Sequence, residues 1–356
     1  MILEELNKVS DLISELIKND DFPEKIEPVQ LRDAVTLYPM RPGKRLRPAL
    51  VMWCCGLFNG DVKQAEYAAA AVEVYHNWTL VHDDIIDEDE LRRGLPATHT
   101  VLEMYARDNF HVDKKKAKKF GSDLAILAGD LQHAWAMNFL LKLIQKGVSP
   151  SLVTALCRNL CEMLSRELVS GEALDVDFSY RNFEKITPEE VERIIYLKTG
   201  ALLNYSATTG AKIALKIDNL QDKRLQKITD FATAVGTAFQ LRDDWLGIFG
   251  ETESFGKPLG SDICSAKPTI LILNTLRNLN KSDSNILLSY VGSAEISSGE
   301  LMKIRSLIIK SGAEKDVLER SNNLRIYAKN SLSGFPDNKY KKLLLELNDY
   351  LINRNR

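Results

Sequence analysis

The chain has 356 residues, of which 45% are hydrophobic and 27% are charged, and its formal net charge is −2. Such a chain can bury a substantial core, and the lack of a basic excess argues against nucleic-acid binding. The most apolar stretch, residues 65–81, is interrupted by Glu66, Glu73 and His76, so no membrane span is predicted.

The amino-terminal segment and the cysteines indicate the compartment. Residues 1–18 are amphipathic and acidic, which fits neither a secretory signal peptide nor an arginine-rich transit peptide. The five cysteines form no CxxC pair and no zinc-ligand spacing with histidine. An odd number of cysteines in a chain of this size favours reduced thiols. We therefore expect a cytoplasmic protein.

Helical periodicity dominates nearly everywhere, and alternating strand patterns are almost absent. In chain order, helices are predicted before the acidic run at 83–90, from Thr187, over 225–250 and in the carboxyl-terminal third. Thr187 is predicted to cap its helix, with Pro188 in the first turn and Glu190 completing a capping box. Loops are predicted at 38–43, 94–98, 147–151 and 250–262. The pattern predicts an all-α fold forming a single domain over 1–356.

The polar segment 101–122 departs from this regular pattern. It contains the basic run "DKKKAKKF" at 113–120, for which a solvated loop or helix face is the simplest interpretation. We interpret 101–122 as an inserted excursion from the helical domain.

Six carboxylates lie within the eight residues 83–90. On a helix, Asp83 and Asp87 share a face, and His76 lies on the same face seven residues earlier. Two carboxylates one turn apart suit Mg²⁺, which keeps several waters and is completed by substrate phosphates. The alternative is a solvated helix end.

A second acidic pair, Asp243 and Asp244, lies inside an otherwise apolar helix, with Gln240 one turn earlier. Unpaired charge is costly in such a place, so each pair calls for a cation. Two such pairs predict a shared cluster of divalent metal ions bridged by a polyphosphate.

Cationic residues occur in three places that could receive an anion. Lys44 and Arg47 stand at a predicted helix start, Arg92 and Arg93 follow the first acidic run, and Lys198 lies within an apolar run. Together these charges predict a site for two diphosphates, of which one is held by metal ions and cations and the other by cations alone.

These motifs closely resemble those of the trans-isoprenyl diphosphate synthases, and most of all the archaeal-type short-chain geranylgeranyl diphosphate synthases. The matching stretches are "GKRLRP", "DDIIDED" with "RRG", "LAGD", "KTGAL", "QLRDDWLGIFG" and "FGKPLGSDICSAKPT", in family order over roughly residues 40–270. The resemblance implies a helical bundle of the isoprenoid synthase type with a central cavity, a homodimer, and no covalent enzyme nucleophile.

The resemblance also implies a role for each matching residue. The ligands of three Mg²⁺ ions would be Asp83, Asp84, Asp87, Asp243 and Asp244. The diphosphate of isopentenyl diphosphate would be held by Lys44, Arg47, His76 and Arg93. The allylic diphosphate (dimethylallyl, geranyl or farnesyl) would be held by Arg92, Lys198, Lys257 and Lys267. The catalytic residues beside the carbocation would be Lys198, Thr199 and Gln240.

Two positions depart from the family pattern, and two others bear on product length. Gly247 stands where many members carry a third aspartate, and Glu172 stands where a glutamine is usual. Trp78 and Tyr75 precede the first acidic motif by about 7.5 Å and about 12 Å along the helix. By resemblance they would close the product pocket, which favours a twenty-carbon product and leaves fifteen or twenty-five carbons open; core packing is the alternative role for Trp78.

Several other functions were compared with this one. His82-Asp83 prompts a metal phosphohydrolase of the HD type, but further histidines at suitable spacings are lacking. A class I terpene cyclase would have no reason to keep cations for a second diphosphate. A non-catalytic subunit of a heteromeric prenyl synthase would tolerate loss of an aspartate cluster, whereas both clusters are intact. A farnesyl or longer-chain synthase stays open as an alternative product class.

Overall fold

The structure, a computed structural model, describes residues 2–219, 222–250 and 259–353. Helices account for most of these residues, so the predicted all-α fold class is confirmed. None of the described helices is both long enough and apolar enough to cross a membrane. The chain packs as two compact units, and the prediction of one domain over 1–356 stays a prediction.

Unit 1 comprises Met1–Cys161, Tyr205–Leu225 and Asn338–Leu343. Its helices are α1 (Ile2–Lys18), α2 (Val29–Met40), α3 (Leu46–Leu57), α4 (Glu66–Ile86), α5 (Thr98–Phe110), α6 (Lys114–Lys142) and α7 (Pro150–Arg158). Short 3₁₀ turns lie at Phe22–Lys25, Val62–Ala65 and Leu143–Lys146. Helix α4 is the centre of this unit, because its run of alanines at 68–71 is fully buried and lets neighbouring helices approach.

Helices α4 and α6 approach closely at one glycine. A Cβ atom at Gly129 would lie 2.3 Å from Nε2 of His82 on α4, so any larger residue there would force the His82 ring to move. Gly129 belongs to the "LAGD" motif, so that motif has a packing reason in this chain: it brings α6 against the carboxyl-terminal half of α4.

A two-stranded hairpin follows α4. Strands β1 (Leu91–Arg92) and β2 (Leu95–Pro96) pair antiparallel, with Arg92 opposite Leu95. Both turn residues have positive φ, 54° at Arg93 and 74° at Gly94. Such a turn matches the twist of the strands and favours glycine at its second position. The loop predicted at 94–98 therefore begins as a hairpin turn that orients Arg92 and Arg93.

Segment 101–122 is helical, so the irregular excursion predicted there is wrong in its local structure. The segment comprises most of α5, a link at 111–113 and the start of α6. Buried Ala106 and Ala117 let these two helices pack, and the ring of Phe110 packs 5.4 Å from that of Phe120. The many polar residues are the exposed faces of two helices.

Unit 2 comprises Glu162–Asn204, Gln226–Asp337 and Leu344–Arg356. The further helices of the chain are α8 (Ser165–Ser179), α9 (Pro188–Ile195), α10 (Ala201–Leu215), α11 (Gln226–Phe249), α12 (Ser261–Cys264), α13 (Ile270–Asn278), α14 (Lys281–Leu288), α15 (Ser298–Ser311), α16 (Ala313–Ser331) and α17 (Lys339–Asn353). Further 3₁₀ turns lie at Phe183–Lys185 and Lys223–Leu225. The core of unit 2 includes fully buried Leu241, Leu271 and Ile304, and α11 packs along α16.

Two features of unit 2 bear on the site. The predicted capping box is confirmed, since the Thr187 side chain accepts from the backbone N–H of Glu190 and the Glu190 side chain accepts in return. The helix it begins changes to π-helix at Tyr196–Gly200 before α10 follows. Single π-helical turns occur often at functional sites, and this one carries Lys198 and Thr199.

Candidate active site

The loop before α3 is held by a buried arginine that the sequence analysis did not single out. Arg45 has left-handed backbone (φ 47°) and is only 4% exposed. Its guanidinium forms an ion pair with Glu73 on α4 and donates hydrogen bonds to the carbonyl oxygens of Pro39 (2.7 Å) and Arg41 (2.9 Å). Arg45 therefore fixes the backbone between Lys44, the last residue of the loop before it, and Arg47 in the first turn of α3.

Arg47, predicted to hold isopentenyl diphosphate, has a buried guanidinium nitrogen without an acceptor in the described part of the chain. Its Nε atom is buried and, within the described residues, has no hydrogen-bond partner. Burial is the main cause that lowers the pKa of Arg47 to about 10, with Arg93 adding to the effect and Glu73 opposing it. The group is still a cation at neutral pH, and a buried N–H without an acceptor favours a bound anion.

His76 and Arg93 lie in the same positive environment. Removal from water, followed by the charges of Arg47 and Arg93, holds the pKa of His76 well below its ordinary value, so the imidazole is neutral. Arg93 Nη1 donates to the carbonyl oxygen of Pro42 at 3.2 Å. The structure thus groups Arg47, His76 and Arg93, three of the residues predicted to hold isopentenyl diphosphate; Lys44 is exposed nearby in sequence.

Asp84 is paired inside unit 1. Its side chain is fully buried, and it accepts a hydrogen bond from Arg92 Nε at 2.7 Å and another from the hydroxyl of Tyr38. The Tyr38 oxygen accepts in turn from the backbone N–H of Thr98 at 3.1 Å. Arg92, predicted to hold a diphosphate, therefore already neutralises Asp84, and Tyr38 is a supporting residue that the sequence analysis missed.

Two further aspartates of the first motif, Asp83 and Asp87, are partly exposed. Asp83 and Asp87 lie one turn apart at the carboxyl-terminal end of α4, which ends at Ile86. Within the part of the chain that the structure describes, no group of three or more His, Cys, Asp or Glu side chains forms a metal-binding cluster. Two accessible carboxylates still fit an ion that is completed by water and phosphate, and the Mg²⁺ site stays a prediction.

In unit 2, Lys198 lies between two carboxylates of α8. Its Nζ atom is 2.8 Å from Oε2 of Glu172 and 2.6 Å from Oδ2 of Asp175. The Nζ atom of Lys267 is 3.7 Å from the same Asp175 oxygen. The structure therefore brings Lys198 and Lys267 together, as predicted for one diphosphate site. Lys257 lies outside the described residues.

A hydrogen-bond chain links the predicted catalytic residues to the second acidic pair. The Thr199 hydroxyl donates to Oε1 of Gln240 at 3.2 Å, and Nε2 of Gln240 donates to Oδ1 of Asp244 at 2.8 Å. Asp244 is 7% exposed, and burial, reinforced by the charges of Asp262 and Asp175, raises its pKa to about 8. Asp243, its neighbour on α11, is partly exposed.

Trp78 and Tyr75 form an aromatic cluster with a residue from α6. The ring of Trp78 lies 4.8 Å from that of Tyr75, and both rings contact His133, at 5.0 Å and 5.5 Å respectively. Trp78 also meets His82 edge to face at 5.9 Å. The cluster lies between α4 and α6, with Trp78 nine residues and Tyr75 twelve residues before Asp87.

The family is decided by sequence comparison. The model of the polyprenyl synthetase family matches residues 28–308. The chain belongs to the polyprenyl synthetase family. The resemblance predicted from its motifs is thereby confirmed.

Individual relatives of this polyprenyl synthetase include several proteins named as geranylgeranyl diphosphate synthases. It is 36% identical over 308 residues to geranylgeranyl diphosphate synthase of Sulfolobus acidocaldarius, which covers 86% of this chain and 82% of that protein. Its fold matches geranylgeranyl pyrophosphate synthetase from Pyrococcus horikoshii with a TM-score of 0.85, at 29% identity over 99% of this chain and 98% of that one. It also matches the Corynebacterium glutamicum synthase complexed with isoprenyl diphosphate and magnesium, with a TM-score of 0.86, at 25% identity over 99% of each chain.

Two residues of this polyprenyl synthetase escaped the sequence analysis although a signal existed. His133 lies four residues after Gly129, so it shares the face of α6 that meets α4. Glu73 lies three residues before His76 and therefore also near the face of the predicted site. Tyr38 carries no comparable signal, because its contact with Asp84 joins distant helices.

Proposed function

We propose that this polyprenyl synthetase condenses isopentenyl diphosphate with allylic diphosphates and that its principal product is geranylgeranyl diphosphate. The observation that carries the proposal is the presence of two separate cation groups, Arg47 with Arg93 and Lys198 with Lys267, each in a motif of the family. Two diphosphate substrates require two such groups. The names of the geranylgeranyl diphosphate synthase relatives support the product class.

The reaction breaks the allylic C–O bond, and the diphosphate leaves with the electron pair. The double bond of isopentenyl diphosphate then forms the new C–C bond, and a proton is lost, for which the released diphosphate is the acceptor. We assign Asp83, Asp87 and Asp243 to hold three Mg²⁺ ions with Asp84 and Asp244 in support; bound Mg²⁺ would neutralise charge on the leaving diphosphate.

The polar side chains near the predicted carbocation face it as acceptors. The Thr199 hydroxyl hydrogen is used in the bond to Gln240, and Gln240 uses its amide hydrogen on Asp244. The remaining oxygen lone pairs of Thr199 and Gln240 can therefore stabilise positive charge. Neutral His76 would donate one hydrogen bond to the isopentenyl diphosphate while Arg47 and Arg93 supply charge.

Product length, assembly and location are finer proposals. Trp78 is 9% exposed and packs with Tyr75 and His133, which supports its role as a floor that stops elongation at twenty carbons. Large exposed apolar side chains in the middle of α6, Ile126 (44%) and Leu127 (49%), support a homodimer, because such surface is usually covered by a partner. The five cysteines are thiols, which suits the cytoplasm.

The decisive experiment incubates the purified chain with Mg²⁺, labelled isopentenyl diphosphate and each primer in turn, and sizes the dephosphorylated alcohols. Twenty-carbon alcohol is expected. A chain that is inactive alone but active with a second subunit would instead be a non-catalytic or obligate partner. Fifteen- or twenty-five-carbon products would correct the product length.

Asp83→Ala tests the site in the same assay. It should abolish product formation while leaving the helical circular-dichroism signal intact, because Asp83 is partly exposed and contributes to no buried core. Glu88→Gln is the matched control, since Glu88 belongs to the same acidic run but forms an exposed ion pair with Lys118 at 3.2 Å. Full activity of Asp83→Ala would overturn the metal assignment.

A further inference from the structure

Glu172 is the residue of unit 2 at which this chain departs from the glutamine usual in the resembling family, and the structure shows what its charge touches. Oε2 of Glu172 lies 2.8 Å from Nζ of Lys198, opposite the 2.6 Å contact to Asp175. With Lys267 beside Asp175, two ammonium groups meet two carboxylates, and the formal charge of the four side chains is zero. A glutamine would leave the same group with one net positive charge.

The contact is built into the backbone and is not a chance meeting of surface side chains. Glu172 and Asp175 are three residues apart on α8 and therefore share a face. Gly171 brings that face against the π-helical turn, because a Cβ atom there would lie 2.7 Å from Cβ of Leu197. Lys198 follows Leu197, and its ammonium is thereby held between the two carboxylates. The side chains of Lys198 and Glu172 are only 22% and 19% exposed.

We propose that Glu172 is a positioning residue that sets how tightly Lys198 holds a diphosphate, an inference that rests on the proposed function. An incoming diphosphate must share Lys198 with a carboxylate that already neutralises it, and it meets the repulsion of that carboxylate. Glu172 therefore weakens the binding of both the allylic diphosphate and the pyrophosphate released from it. In repeated elongation the product of one cycle is the allylic substrate of the next. Weaker binding at Lys198 therefore helps the released pyrophosphate to leave and the diphosphate of the elongated product to take its place.

The test compares Glu172→Gln with the unchanged chain. The glutamine keeps the size of the side chain and an oxygen that can accept from Lys198, and it removes the charge. We expect the KM for the allylic diphosphate and the Kd for magnesium pyrophosphate, measured by calorimetry, to fall about three- to tenfold, as for the loss of one partly screened charge contact. The KM for isopentenyl diphosphate should not change, and slower release should lower kcat.

Two matched variants separate this role from a structural one. Glu172→Asp keeps the charge and should restore the affinities of the unchanged chain. Asp177→Asn removes the same charge from α8 at an exposed site paired with Arg181, and it should alter neither affinity. Unchanged or weaker pyrophosphate binding by Glu172→Gln would overturn the inference. If the unchanged chain made no prenyl product, the proposed function would fail, and the pyrophosphate Kd values would still decide the role of Glu172.

Discussion

Replacing Asp244 by Asn should stabilise the protein, and by more as the pH rises. Burial, with Asp262 and Asp175 nearby, raises the pKa of Asp244 from 3.8 to about 8. At pH well below 3.8 the side chain is protonated in both the folded and the unfolded state and contributes no difference. Between the two pKa values the unfolded chain is ionised while the folded protein keeps its proton, so the free energy of unfolding falls as the pH rises.

The magnitude follows from the size of the shift. The two pKa values differ by about four units at about 1.4 kcal/mol each, which sets an upper limit of roughly 5–6 kcal/mol above pH 8 and about 4 kcal/mol at pH 7. Asn resembles the protonated carboxyl group in shape and can still accept the hydrogen bond from Gln240. Asp244→Asn should therefore abolish the pH-dependent loss of unfolding free energy, and the amide of Gln240 keeps a hydrogen-bond acceptor.

The assay is urea unfolding, followed by circular dichroism, of both proteins from pH 5 to pH 8 in the presence of a chelator. The stability difference should grow by up to about 1.4 kcal/mol per pH unit across this range. Asp230→Asn is the control for removing a charge from α11, because that carboxylate bonds Gln226 at the surface. A stability difference that is the same at every pH would refute the reasoning.

Two further predictions concern unit 1. Trp78→Ala should lengthen the principal product by opening the aromatic cluster with Tyr75, measured by chromatography of the dephosphorylated alcohols; an unchanged product would return Trp78 to a core-packing role. Arg45→Met should lower the free energy of unfolding by roughly 3–5 kcal/mol, because it leaves Glu73 buried without its cation. Arg47→Met should leave the free energy of unfolding unchanged and should raise the KM for isopentenyl diphosphate. Equal losses of stability in both arginine variants, measured in urea, would contradict this distinction.

The parts of the structure that the sequence predicted well are those set by neighbours in the chain. The capping box at Thr187 needs only residues three positions apart, and the all-α class follows from periodicity that runs through almost every segment. Segment 101–122 was not recognised as helical because, apart from Leu102, the residues that it buries are small, such as Ala106 and Ala117. Helices that pack through alanine show little of the large-residue periodicity by which helices are recognised.

The candidate site was predictable in its residues and not in their pairing. Resemblance to the family motifs was enough to single out individual residues. These residues include Asp84, Arg92, Lys198 and Glu172. Their partners depend on packing: Tyr38 reaches Asp84 from another helix, and Lys198 reaches Glu172 only because Gly171 allows a close approach. Contacts of this kind carry no spacing rule in the sequence.

The pairing pattern explains how so many cations can fold together. A diphosphate site needs several positive groups close to one another, and their mutual repulsion would oppose folding before an anion binds. In unit 1 this repulsion is reduced by two ion pairs, one between Arg45 and Glu73 and one between Arg92 and Asp84. Within the described chain, the buried Nε atoms of Arg45 and Arg47 both lack an acceptor, but only Arg45 of these two has an ion pair with a carboxylate. In the proposed site, the paired arginines would hold the surrounding structure together, and the positive charge of Arg47 would gain a partner when a diphosphate binds.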